Sequence, residues 1–180
     1  RFLNKIEIMD ASFCTTKPSV LNFPRARPIY YIPNPVDESF EVLKNYKYKN
    51  LKNDVFFAMS HGVHRGVLKK GKFDERENFL HALTNKLPNI KFDLYGISNK
   101  QPIWADNFVK AISNSKIALN LSQGFASKYY TSDRFAQLIG NGLLVLIDKK
   151  TKFSDFFNKD EIVTYNSISD LSKKIEKYSN

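Results

Sequence analysis

The segment from Ser127 to Asp148 sets the tightest limit on what this chain can become. It reads as a cationic turn, a short amphipathic helix, a glycine stop and an unbroken apolar run from Leu143 to Ile147. An apolar run of strand length without alternation has to be covered on both faces, the condition of a strand inside a parallel sheet. Thr131, Ser132 and Asp133 are each competent helix N-caps. Phe135, Leu138 and Ile139 lie three and four apart and share one buried stripe. Asn141-Gly142 supplies the stop. A helix N-terminus offers free N–H groups and a partial positive charge. With Lys128 ahead of it and Arg134 in its first turn, this one is expected to hold an anion, a phosphate in the simplest case.

The same strand–helix alternation runs through the chain from about residue 54. Asp54 to Ser60 predicts a strand. Asp74 caps a helix with Phe79, Leu80, Leu83 and Leu87 on its buried stripe, and Pro88 ends it. Ile90 to Gly96 alternates as a strand. A helix near Asp106 to Ser115, with Phe108, Val109 and Ile112 inward, leads to a strand over Lys116 to Ser122. Beyond Asp148 the pattern gives a compact turn around Phe153 and Phe156-Phe157, a strand over Glu161 to Asn166 and a capped helix from Ser169. The fold class is therefore α/β, a Rossmann-like open parallel sheet with helices on both faces and right-handed crossovers.

Ligands of such sheets bind beyond the C-terminal ends of the strands. The loops containing residues 60–66, 96–104 and 122–133 all fall at that edge. The first carries Gly62, His64 and Arg65, which suit a phosphate or sugar; the third carries Gly124. The glycine spacing matches neither the dinucleotide fingerprint nor the P-loop. His61 and His64 lack a third ligand, so a metal site is not expected. Tyr129 and Tyr130 read as packing groups, one of which could lie beside a base or sugar ring.

The front of the chain reads poorly. Lys5 to Met9 and Phe13-Cys14 have short-strand character, and Pro18, Pro24 and Pro28 break the region up. Two alternatives stay open for it: the remnant of a preceding domain, or an arm packed on the main one. Ile29-Tyr-Tyr-Ile-Pro-Asn-Pro-Val-Asp is a strand ending in a proline-locked turn, after which Asp37 is placed to cap a helix over Phe40 to Tyr48. The expected division is residues 1–40 as domain remnant and linker, and 41–180 as the Rossmann-like domain.

A net charge of +10 invites a nucleic-acid reading. The excess is mostly lysine, scattered among Asn, Ile, Tyr and Phe, while arginine, the better reader of bases and phosphates, is sparse. No nucleic-acid partner is expected; an anionic ligand or the anionic inner membrane surface remains open. No apolar run approaches the roughly 18 residues of a membrane span, and no signal peptide is visible. The single Cys14 allows no internal disulfide and suits a reducing compartment. The expected location is cytoplasmic, with peripheral membrane contact left open. The chain starts at Arg1 and is expected to be part of something longer.

In order, Tyr-Ile-Pro-Asn-Pro-Val-Asp, strand, glycine loop, helix, strand ending Tyr-Gly, Asn-Leu-Ser and Ser-Asp-Arg-Phe-Ala-Gln-Leu-Ile-Gly-Asn-Gly-Leu-Leu resemble the C-terminal half of group 1 glycosyltransferases of the GT-B architecture. The similarity covers about residues 29–180 and is closest to bacterial enzymes of cell-envelope polysaccharide and lipopolysaccharide assembly. It implies that this domain binds a nucleotide-diphosphate sugar, UDP- or GDP-linked. A missing N-terminal domain would then help transfer the sugar to a glycan or lipid-linked acceptor, with retention. No cofactor is implied, and the isolated piece should do little chemistry. By position, Gly62 and Arg65 would approach the diphosphate, with Lys128 and Arg134 flanking it from the central helix. The family commonly places a ribose-binding glutamate five residues before the helix-ending glycine, and that position here is Gln137. An earlier family glutamate falls near Tyr129. The other class left open is a non-catalytic α/β module binding a phosphorylated ligand or a protein partner.

Overall fold

In a computed structural model of the chain, residues 8–21, 27–60, 74–124 and 126–179 are described. The apolar runs at 53–58, 115–120 and 144–148 are the strands β3 (Asn53–Ala58), β5 (Ser115–Asn120) and β6 (Leu144–Asp148). With β4 (Phe92–Tyr95) and β7 (Val163–Tyr165) they form one parallel sheet in the order β4-β3-β5-β6-β7. Its central strands are buried on both faces, which is why they carry no polar alternation.

Four α-helices occur among the described residues: α1 (Glu75–Lys86), α2 (Ala105–Ile112), α3 (Asp133–Gly140) and α4 (Ile168–Ser179). A right-handed crossover assigns a helix to one face when the chain steps one way across the sheet and to the other when it steps back. From β3 to β4 the chain steps outward, and Leu80 and Leu83 of α1 pack with Val55, Phe57, Ile117 and Leu119. It then returns past β3 to β5 and on to β6, so α2 and α3 lie on the opposite face. There Ile112, Phe135 and Leu138 meet Phe56, Ala58, Ala118 and Ile147. Leu171 and Ile175 of α4 rejoin the first face. The change of direction occurs between β3 and β5, the topological switch point at which open α/β sheets place ligands.

The helix ends follow the expected chemistry. Asp74 caps α1 by accepting from the Arg76 N–H at 3.0 Å. Ser132 occupies the N-cap position of α3, Asn141 its C-cap, and Gly142 follows at φ +82°, the left-handed conformation that glycine adopts without strain. Two expectations are corrected. Val109 is 42% exposed, turned out of the core toward a cleft.

The helix expected over Phe40 to Tyr48 does not form. Residues 38–40 are a turn, and the only helical piece there is one 3-10 turn, Asn45–Lys47. Asp37 spends its carboxylate on the Ser39 N–H and hydroxyl, at 2.9 and 2.7 Å. Asn45 is drawn into the domain: its amide donates to the carbonyls of Ile112 and Ser115 at 2.7 and 2.9 Å, and its N–H donates to Asn141 O at 2.9 Å. Contacts across the fold outweigh the weak drive of so short a segment to form a helix. Asn45→Ala is accordingly expected to lower the unfolding free energy by about 2 kcal/mol, since two buried carbonyls lose their donors. Urea denaturation of the two proteins reads this, with loss appearing as a lower midpoint at unchanged slope.

Ahead of the sheet, β1 (Ser12–Cys14) and β2 (Ile29–Tyr31) pair in parallel as a separate two-stranded sheet. Its described residues pack on the main domain. The Tyr31 hydroxyl donates to Tyr129 O at 3.1 Å, its ring stacks on Phe156, and the Lys17 N–H donates to Lys128 O at 3.1 Å. Lys5 to Glu7, the body of the first expected strand, lie outside the described residues.

Candidate functional site

At the switch point, Arg134 in the first turn of α3 reaches across the sheet edge and donates through Nη1 to the carbonyl oxygen of Ala58, the last residue of β3. Its guanidinium lies 5.5 Å from the centre of the Phe57 ring. Burial, reinforced by the nearby charge of Arg76, pushes the Arg134 pKa down to about 10, with Asp133 and Tyr130 opposing the shift. It stays protonated at neutral pH, so a charge held among protein atoms faces a second cation.

That second cation is fixed. Arg76 is 8% exposed, and its Nε and Nη2 fork onto the two Asp74 carboxylate oxygens at 2.8 and 2.7 Å. Both arginines stand in the first turn of a helix, where the macrodipole disfavours a cation. For Arg76 the cost is offset by its ion pair with Asp74; for Arg134 an anion at the helix end would offset it. Glu75 ties the same corner together by accepting from the Gly124 N–H at 3.0 Å, and Gly124 holds φ +70° to make the turn.

Arg134 lines a cavity of about 630 Å³. Its floor is Ala58, Met59 and Ser60, and one wall is apolar, from Ile103, Trp104, Phe108 and Val109. The facing wall brings Pro35, Asp37, Phe40 and Glu41 from the proline turn against Gln137 and Asn141 of the α3 region. The volume suits a small ligand with an anionic end and a flat apolar end.

Of the residues singled out in the sequence, Arg134 and Gln137 share this cavity with Ser60, on one side of the sheet edge. Lys128 does not. It lines a separate cavity of about 600 Å³ with Thr16, Leu21, Gln123 and Tyr130, and its ammonium lies 5.1 Å from the Tyr129 ring. Lys128 and Arg134 thus line different cavities. The physical cause is the turn at Tyr129, which holds φ +61° and is fastened by its N–H to Thr151 O at 2.7 Å. Tyr129 itself packs edge-on to Phe156 at 4.7 Å and donates its hydroxyl to Asp155 at 3.0 Å. The Ser132 hydroxyl donates to the side-chain oxygen of Asn120 at 3.3 Å, at the root of the same loop. Gly62, His64 and Arg65 lie outside the described residues.

Sequence reading passed over Arg76, Glu41 and the apolar wall. Arg76 did carry a signal, an arginine set against the dipole two residues after a cap. Glu41 carried none, because its partners on α3 are about a hundred positions away.

Residues 75–180, more than half of the chain, match the family model described as "Glycosyl transferase-like". The chain belongs to this family. The match begins at the first residue of α1 and takes in Arg76 and Arg134. None of the curated proteins matches the chain. Among solved structures, a chain in the crystal structure of the GtfA/B complex superposes with a TM-score of 0.51 at 13% identity, over 97% of this chain and 39% of that one. A likeness at that identity speaks for the fold, the Rossmann-like half of a GT-B architecture. This glycosyl transferase-like chain therefore spans well under half the length of the solved chain it matches. None of the helices among the described residues is long and apolar enough to cross a membrane.

Proposed function

We propose that this chain binds the donor of a glycosyl transfer reaction, a nucleoside diphosphate sugar carried on UDP or GDP. With acceptor-binding groups contributed by a further domain, the sugar passes to a hydroxyl of a glycan or lipid-linked acceptor, with retention of configuration. The setting that fits is bacterial cell-envelope polysaccharide assembly on the cytoplasmic side, with peripheral membrane contact. The observation that carries this reading is Arg134, a protonated guanidinium bound to the end of β3 on the cavity at the switch point.

The chemistry asks for little more. The bond from the anomeric carbon to the diphosphate oxygen breaks with its electron pair leaving on the diphosphate, and the acceptor oxygen forms the new bond to that carbon as its proton passes to the departing diphosphate. Rate is gained by stabilising the departing charge, and preorganised guanidinium groups do so without reorganising at the moment of reaction. The chain's own cations supply this, and no resident cofactor enters the proposal. Lys128, in its separate cavity, is assigned no part in holding the diphosphate.

Calorimetric titration with UDP, GDP and pyrophosphate tests the reading. The expected result is saturable binding of one nucleoside diphosphate, competed by pyrophosphate. Absence of binding for both nucleotides and their sugars, at concentrations to the millimolar range, overturns it.

A further inference from the structure

The stretch that gives up its helix is fastened along the domain by alternate residues. Glu41 is seated by Gly140, where a Cβ would stand 2.7 Å from Glu41 Cγ. Leu43 packs against the core around Phe56, Phe135 and Leu138 and donates its N–H to Asn141 Oδ1 at 3.2 Å. Asn45 is buried on the carbonyls of Ile112 and Ser115. The residues between them stand outward: Phe40 is 76% exposed, and Val42, Lys44 and Tyr46 are exposed as well. Gly142 lets the backbone of this strap lie close, since a Cβ there would meet Tyr46 Cδ1 at 2.7 Å and Asn45 N at 2.9 Å. Beyond Tyr46, the residues Lys47, Tyr48, Lys49 and Lys52 are all exposed.

Two properties of that outward row call for a partner. Its apolar groups, Phe40, Val42, Tyr46 and Tyr48, follow one another along residues 40–48, whereas exposed large apolar groups are ordinarily scattered singly. Its charge is also of one sign. Between Ser39 and Asn53 the only acidic residue is Glu41, whose carboxylate is turned back to accept from the Asp37 N–H at 2.8 Å. The flanking acids are Asp37 and Glu38 in the turn ahead, the former bound to Ser39, and Asp54, which accepts from the Lys91 N–H at 2.8 Å. Among the described residues none of Lys44, Lys47, Lys49 and Lys52 is in an ion pair. Ammonium groups on flexible stems suit a surface of mobile phosphates, and tyrosine rings settle at the headgroup level of a bilayer. A nucleic acid fits less well, because the row holds no arginine and Val42 offers no face to a base.

We propose that the strap over residues 40–52 is the face by which this chain lies on an anionic lipid bilayer. The lysines meet the headgroup phosphates, and Val42, Tyr46 and Tyr48 enter the interfacial zone. This rests on the reading above for its membrane setting and names the surface that makes the contact. Phe40 also lines the Arg134 cavity, so a chain lying on this face brings the donor site beside the bilayer, where a lipid-linked acceptor would be met.

The test is sedimentation of the chain, without nucleotide, with vesicles of phosphatidylcholine alone or mixed with phosphatidylglycerol. Binding is expected only to the anionic vesicles and should weaken as salt is added. Lys47→Gln with Lys49→Gln should weaken it about thirtyfold, each lysine at an anionic surface contributing about a factor of five. Val42→Ser with Tyr48→Ser leaves the charge unchanged and should weaken it about tenfold. Lys173→Gln with Lys177→Gln removes the same charge from exposed positions of α4, on the opposite face of the sheet, and should leave binding unaltered. All variants should keep the wild-type thermal midpoint. No binding to anionic vesicles, equal binding to phosphatidylcholine, no loss from the apolar pair, or an equal loss from the α4 pair would overturn the assignment. So would a single-stranded oligonucleotide held through Lys47 and Lys49 while vesicles are ignored. Each of these results leaves the donor-binding reading in place, and a failure of the nucleotides to bind leaves the vesicle result standing.

Discussion

Replacing Arg134 with glutamine is expected to weaken binding of the nucleoside diphosphate by about a hundredfold. A guanidinium forks onto phosphate oxygens and holds its charge in a partly dry site, where a charged hydrogen bond contributes about 3 kcal/mol. The fold should not suffer with the ligand site. Among the described residues the Arg134 side chain makes one hydrogen bond, to a carbonyl, which glutamine can also make, and its charge opposes that of Arg76. Stability of the ligand-free variant is therefore expected to equal or slightly exceed that of the wild type. The two quantities are read by calorimetric titration and by thermal unfolding without nucleotide. Affinity within threefold of wild type would place the diphosphate elsewhere. So would a loss of affinity accompanied by an equal loss of fold.

Arg134 is also the place to look for salt effects. The wild-type affinity should fall as ionic strength rises, because a diphosphate at the guanidinium gives up Coulombic attraction to screening. Arg134→Gln should show a shallower dependence.

A second large effect is expected from Gly96→Ala, on stability. Gly96 follows β4 at φ +75°, and a Cβ there would run into the carbonyl oxygen of Met59, just beyond the end of β3. Two penalties coincide, a conformation that L residues rarely adopt and a collision with backbone that cannot swing away. Together they should lower the unfolding free energy by about 3 kcal/mol. The strand ends that would be pushed apart are those that carry Ala58 and Ser60, so the cavity floor shifts with them. Gly124→Ala separates the two penalties. Gly124 also has positive φ, at +70°, but a Cβ there meets nothing within 4 Å. Its replacement should cost only the conformational part, about 1 kcal/mol. Urea denaturation of both variants decides the matter, and equal losses would show that the Met59 contact is relieved at no cost.

Much of the architecture is legible in the residues alone. The 3.6-residue stripe of Leu80, Leu83 and Leu87, the cap at Asp74, the stop at Asn141-Gly142 and the apolar runs of β3, β5 and β6 each declare an element through local geometry. Alternation of those elements implies a parallel sheet, and parallel sheets bind at their C-terminal edge. That logic leads to α3 and Arg134 from sequence periodicity and charge alone.

Expectation and structure part where contacts join distant parts of the chain. The stretch 40–48 has local helical character, yet Asn45 finds the carbonyls of Ile112 and Ser115 and the helix is given up. Lys128 precedes α3 just as an anion-binding lysine would, yet a left-handed turn at Tyr129 and an aromatic cluster with Tyr31 and Phe156 carry it to another cavity. Arg134 and Ala58 are 76 positions apart in sequence and meet because β3 and β5 are neighbours.

Sequence by itself determined the secondary-structure elements, their order and the sheet edge at which a ligand would sit, because these follow from short-range periodicity and capping. Only the tertiary structure decided which of the cations lines the cavity, which carboxylates face it and which glycine makes room for Glu41. Those are set by strand neighbours and by hydrogen bonds between segments far apart in the chain, for which one sequence holds no local signal.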